Sequence, residues 1–129
     1  MKLSTRYGLA GLCGLALLTL VQWARQEHLQ HGPALTYLIG VGPNFAAAIA
    51  ITFVLLGAWA EQRPGADGQG ERQRFRLSAA ISGGGLLGWE ALQMVSRNLV
   101  FDWQDVLATI AGIAACFALF AAIGPRSSD

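Results

Sequence analysis

The sequence predicts an all-α fold: an integral membrane bundle of four antiparallel transmembrane helices, with the N- and C-termini in the cytoplasm. Composition is the first observation behind this. Of 129 residues, 53% are hydrophobic and only 13% charged, against about 25% charged in a typical soluble domain, and mean hydropathy is +0.43. So few charges do not cover a water-facing surface, which argues against a soluble enzyme, a coiled coil or a disordered chain. A net charge of +1 gives nucleic acid no basic surface to bind. The second observation is four long apolar stretches separated by polar breaks. The third is the distribution of basic residues between the two sides that those stretches define.

The first stretch covers residues 7–24, after Lys2 and Arg6. A bilayer core of about 30 Å needs about 20 helical residues, with a lower limit near 17, and lipid offers no partner to an unpaired backbone group, so the spans are helical. A secretory signal peptide is the rival reading here, but Gln22-Trp23-Ala24 lacks the small-x-small cleavage pattern and Leu12 before Cys13 does not suit lipoprotein processing. An uncleaved helix is expected.

The second stretch, 35–60, is longer than one crossing requires and is interrupted by Gly40-Val41-Gly42-Pro43-Asn44. Proline suits the first helical position, so the membrane helix is placed at 43–60, with 35–41 along the interface and Tyr37 as an anchor. One long helix kinked at Pro43 is the alternative. The 64–70 segment, rich in Gly, reads as a flexible turn. The third span is 77–95 and the fourth 106–123, completing one domain over residues 1–129. Trp23, Trp59, Trp89 and Trp103 fall near span ends, as interfacial anchors do.

With the N-terminus inside, Lys2, Arg6, Arg63, Arg72, Arg74, Arg76 and Arg126 lie on the cytoplasmic side, and only Arg25 and Arg97 lie opposite. This is the asymmetry of the positive-inside rule. The Arg72, Arg74 and Arg76 cluster fixes topology and is placed to touch anionic headgroups. Gly84 and Gly88, and the stripe Ala108, Gly112 and Cys116, let helix backbones approach closely and offer faces for a homo-oligomer; Gly8, Gly11 and Gly14 add small positions in no clean stripe. Cys13 and Cys116 sit inside spans as small apolar packers.

Polar chemistry concentrates between Glu90 and Asp105. Glu90, Gln93 and Arg97 share one face of the third helix, and a carboxylate within a span needs a partner, a water cavity or a proton. Asp102 is placed as N-cap of the fourth helix and Asp105 in its first turn, with Thr109 one turn deeper on the same face. A short connection makes the two helices antiparallel neighbours, so Arg97 meets Asp102 or Asp105 across the hairpin. Two readings stand: a polar clamp that only locks the hairpin, or a small polar site open to the outer leaflet and suited to a headgroup, phosphate or cation. His28 and His31 supply only two ligands, so no metal is expected. No cofactor motif is present, since Gly83-Gly84-Gly85 lacks the lysine of a phosphate loop.

The residues Trp89-Glu90-Ala91-Leu92-Gln93, Arg97, Phe101-Asp102-Trp103-Gln104-Asp105, Thr109 and Gly112 resemble the VanZ-like family of small bacterial membrane proteins, as does Gly42-Pro43-Asn44-Phe45. That family shows Glu-x-x-Gln, a nearby Arg, Asp-x-x-Asp and then Asn or Thr before Gly. The resemblance implies a multi-pass protein of the bacterial cytoplasmic (inner) membrane, in contact with membrane lipids. It also implies one shared site (Glu90, Gln93, Arg97, Asp102, Asp105 and Thr109) that acts on or shields a lipid-linked envelope intermediate, or influences glycopeptide sensitivity. No catalytic step is assigned to any of the six. The alternatives are a proton- or solute-coupled transporter using Glu90, and a structural membrane partner without activity of its own.

Overall fold

The computed structural model describes residues 2–28, 32–63, 65, 67–95 and 103–125. They form four helices: α1 (Leu3–Gln26), α2 (Pro33–Gln62), α3 (Gly68–Val95) and α4 (Trp103–Ile123). Three of them, α1, α2 and α4, are long and apolar enough to cross a membrane. The third has the length but not the hydropathy.

Two helix starts differ from the sequence expectation. The second helix begins at Pro33 and runs without a break through Pro43, so residues 35–41 belong to the helix and the single-long-helix alternative holds. The first-position role given to Pro43 falls to Pro33, behind Gly32 at a φ of 86°, where a left-handed backbone suits glycine alone. The third helix begins nine residues before the expected Leu77. Asp67 makes this start: its carboxylate accepts from the Gly70 N–H at 2.7 Å and its carbonyl from the Glu71 N–H at 3.0 Å, the pattern of an N-cap. The turn expected over 64–70 is therefore shorter, and all three clustered arginines ride on α3.

Helix α2 packs against each of the other three. Against α1 the contact is glycine-mediated. A Cβ on Gly14 would lie 2.7 Å from the Ala50 nitrogen, one on Gly11 2.9 Å from Val54, and one on Gly57 3.4 Å from the Gly8 nitrogen. Partner numbers fall on one helix as they rise on the other. Against α4, a Cβ on Gly112 would lie 2.8 Å from both the Phe45 carbonyl oxygen and Ala48, and the Cys116 thiol donates to the Ala48 carbonyl at 3.6 Å. Ser82 of α3 donates to that same carbonyl at 3.1 Å. The expected stripe Ala108, Gly112 and Cys116 is buried as a packing face, whereas Gly84 and Gly88 are exposed with nothing near them. The glycines of α1, not those of α3, make the close approach. Cys13 is exposed and Cys116 buried, and both are free thiols.

The core of the bundle lies toward one end, where Phe75 stacks on Phe120 with centroids 4.3 Å apart and meets Phe117 edge-on at 4.9 Å. Tyr7, Phe53 and Leu56 complete it, all fully buried. The middle of α3 is patterned the reverse of a helix in water. Ser78, Ser82 and Glu90 are buried, while Leu77, Ile81, Leu87, Trp89 and Leu92 are exposed. These polar groups face helices and these apolar groups face outward, which is the arrangement a lipid surround favours.

Candidate functional site

Of the six residues expected to form the site, four are described. Glu90 is buried at 2% exposure and Thr109 at 1%, and Gln93 and Asp105 are half-buried. Arg97 and Asp102 lie outside the described residues, and with them the expected bridge across the hairpin and the expected N-cap of α4; His31 also lies outside them. Thr109 is not a free polar group, because its hydroxyl donates to the Asp105 carbonyl one turn back at 3.0 Å. That bond spends the donor inside α4.

Asp105 instead opens onto a cleft of about 600 Å³ that joins three helices: Arg25 from the end of α1, Pro33, Thr36, Tyr37 and Gly40 from the first turns of α2, and Gln104 and Asp105 from the first turn of α4. Two helix N-termini thus border one polar cavity, each with its positive dipole end.

Arg25 was visible in the sequence only as one of two basic residues on the outer side. Its structural role comes from Pro43. A proline has no N–H, so the Ile39 carbonyl four residues earlier loses its intrahelical partner. The Arg25 Nη2 reaches across from α1 to donate to that carbonyl at 3.3 Å and to the Gly40 carbonyl at 3.2 Å. A helix-breaking residue is accommodated by a guanidinium from the neighbouring helix. Among the described residues, this leaves the Nη1 and Nε hydrogens of Arg25 for another acceptor in the cleft. The signal that points to it is a proline within an apolar run paired with a single arginine at the end of the preceding span.

This pairing makes a prediction. Arg25→Ala leaves the Ile39 carbonyl unpaired at a cost of about 1–3 kcal/mol. Pro43→Ala restores the missing N–H, so Arg25→Ala costs much less in that background. Melting temperatures of the two single variants and the double variant in detergent give the coupling; strict additivity would show that the two residues act separately.

At the opposite end sits a second polar cluster that the sequence reading missed. Glu71 is 3% exposed. Its carboxylate accepts from the Tyr7 hydroxyl at 3.2 Å and pairs with Arg74 Nη1 at 3.0 Å. The same Arg74 nitrogen donates to the Arg63 carbonyl, at the end of α2, at 3.0 Å. Arg6 donates to the Ile123 carbonyl at the end of α4 at 3.4 Å, where a cation opposes the negative end of the helix dipole. The cluster ties together the first turns of α1 and α3 and the last turns of α2 and α4.

No protein-family model, curated protein or solved structure matches the chain.

Proposed function

We propose that the chain is a VanZ-like, four-crossing protein of the bacterial cytoplasmic membrane, with both termini inside, whose outer-end cleft holds the phosphate-bearing headgroup of a lipid-linked envelope component. The cleft carries this reading: Arg25, the N-terminal turns of α2 and α4, and the polar groups of Tyr37 and Gln104 border one cavity. An arginine fork and helix N-termini are groups that bind phosphate oxygens, while Asp105 and Gln104 can accept or donate to the hydroxyls of a glycan or polyol.

The membrane part of the proposal draws support from three apolar helices of crossing length and from the outward apolar face of α3. The antiparallel arrangement is supported by the contacts at each end: Arg6 with Ile123, Tyr7 with Glu71 and Arg74 with Arg63 at one, Arg25 with Gly40 at the other. The end that gathers Arg6, Arg63, Arg72, Arg74 and Arg76 is then the cytoplasmic one. Asp105, which lines the cleft, also belongs to the stretch Trp89–Gly112 that resembles the family.

The test is a deletion strain profiled against agents that act on lipid-linked wall intermediates and on the membrane. Altered sensitivity is expected, restored by the wild type but not by Asp105→Asn or Arg25→Lys at equal membrane abundance. Arg25→Lys keeps a donor for the freed carbonyls and loses the planar fork. In the same strain, a cysteine at Gln104 should react with a membrane-impermeant maleimide added to intact cells. Unchanged sensitivity across the panel, or a cysteine protected from the outside, overturns the proposal.

A second reading is favoured by one observation, the burial of Glu90 on the inward face of α3. A carboxyl group there is positioned for proton-coupled transport.

A further inference from the structure

The three arginines of α3 do not act alike. Arg74 turns to Glu71 and the end of α2. Arg72 and Arg76, one helical turn apart, are exposed and line a separate cleft of about 540 Å³ between α3 and α4. The floor of that cleft is aromatic: Phe75, Phe117 and Phe120, with Ala121 and Pro125 at its margin. Phe75 is held flat against Phe120 and edge-on to Phe117, so the floor is rigid, and Phe117 presents about half its surface outward (51% exposed). Among the described residues neither Arg72 nor Arg76 is part of an ion pair.

Each half of the cleft matches one half of a phospholipid. Two guanidiniums one turn apart bracket a phosphodiester, which is always ionised, as are they. The phenyl surface beyond them suits the glycerol backbone and first methylenes of an acyl chain. A zwitterionic headgroup brings an ammonium group toward the same two cations, so an anionic headgroup is preferred. We propose that Arg72 and Arg76, with Phe117 and Phe120, form a binding site for one anionic phospholipid at this end of the bundle, separate from the cleft at Arg25. The occupant is set by charge complementarity: two cations outside any ion pair among the described residues, over an apolar floor. The inference does not rest on the function proposed for the outer cleft, and either can fail alone.

The experiment compares the full-length protein in nanodiscs of phosphatidylcholine with and without phosphatidylglycerol. Phosphatidylglycerol should raise the melting temperature by several degrees. In Arg72→Gln/Arg76→Gln that rise should fall to less than half while the melting temperature in pure phosphatidylcholine stays unchanged. The rise should shrink in high salt, as exposed charges require. An equal rise in wild type and variant overturns the site. So does reproduction of the rise by soluble glycerol phosphate, which would assign the cleft to a free phosphate. A change of oligomeric state in the variant with lipid dependence intact would assign the face to a second copy of the chain and overturn it equally. Native mass spectrometry of the wild type in mixed detergent–lipid micelles needs no variant: preferential retention of one phosphatidylglycerol is expected, and equal retention of both lipids counts against the site.

Discussion

Replacing Gly112 or Gly14 by alanine should destabilise the bundle severely, while the same change at Gly84 or Gly88 should leave it intact. The added methyl at Gly112 would sit 2.8 Å from the Phe45 carbonyl oxygen and 2.8 Å from Ala48, and that at Gly14 2.7 Å from the Ala50 nitrogen. Those neighbours are backbone or Cβ atoms of α2, which cannot rotate away, so the helices themselves have to separate. Overpacking of a tight core costs about 1–3 kcal/mol and at times more, and here it also loosens the hydrogen bonds of Ser82 and Cys116 to the Ala48 carbonyl. Leucine in place of alanine should prevent assembly altogether. A Cβ added at Gly84 or Gly88 would meet nothing within 4 Å beyond the helix's own backbone, and alanine is the better helix former there. Abundance in the membrane and melting temperature in detergent separate the two pairs. Equal sensitivity at all four positions would mean that α3 also packs through its glycines.

Glu71→Ala should cost about 3 kcal/mol, the lower end of the range for breaking a buried pair, since Arg74 still reaches water at 20% exposure. The Tyr7 hydroxyl, in a residue that is fully buried, would lose its acceptor at the same time. Glu71→Gln keeps an oxygen for Tyr7 and removes the charge opposite Arg74, so its effect should be smaller. Tyr7→Phe deletes only the hydrogen bond to a charged acceptor, a loss of about 1.5–3 kcal/mol, and leaves the ring stacked on Phe120. Thermal unfolding of the three variants should therefore rank Glu71→Ala as the least stable. A melting temperature for Glu71→Ala equal to that of the wild type would reduce the cluster to a solvated surface pair.

The four helices were legible in the sequence because long apolar runs have no other stable solution in lipid. Their starts were less so, because they depend on single residues. Asp67 caps α3 from inside a segment whose glycines read as a turn. Pro43 looked like a beginning because a proline inside a helix is costly, and only a partner on another helix makes it tolerable. Arg25 is that partner, and a contact between residues 25 and 39 has no local signature. Glu71 escaped notice for a related reason. It precedes the apolar run by six residues, and only the folding of Tyr7 and Arg74 around it makes it a buried group. The small-residue stripes were readable as packing surfaces, but not which of them meets a helix: the orderly pair Gly84 and Gly88 faces outward, and the irregular Gly11 and Gly14 pack. For the site, the sequence singled out Glu90 and Asp105 as parts of one polar stretch on the α3–α4 hairpin. The cleft that Asp105 lines is closed by α1 and α2, elements far away in the chain.

The reversed patterning of α3 bears on how the chain is made. A segment enters the bilayer from the translocation channel according to its own average affinity for lipid, and α3 falls short of the average its neighbours reach. Its serines and Glu90 are screened only when α2 and α4 lie against it. If α3 crosses, its insertion is then a cooperative event that draws on a helix already in place and one still to emerge. Substitutions on the inward face of α2 would in that case change which side of the membrane the later parts of the chain are delivered to, before they change how tightly the finished bundle holds.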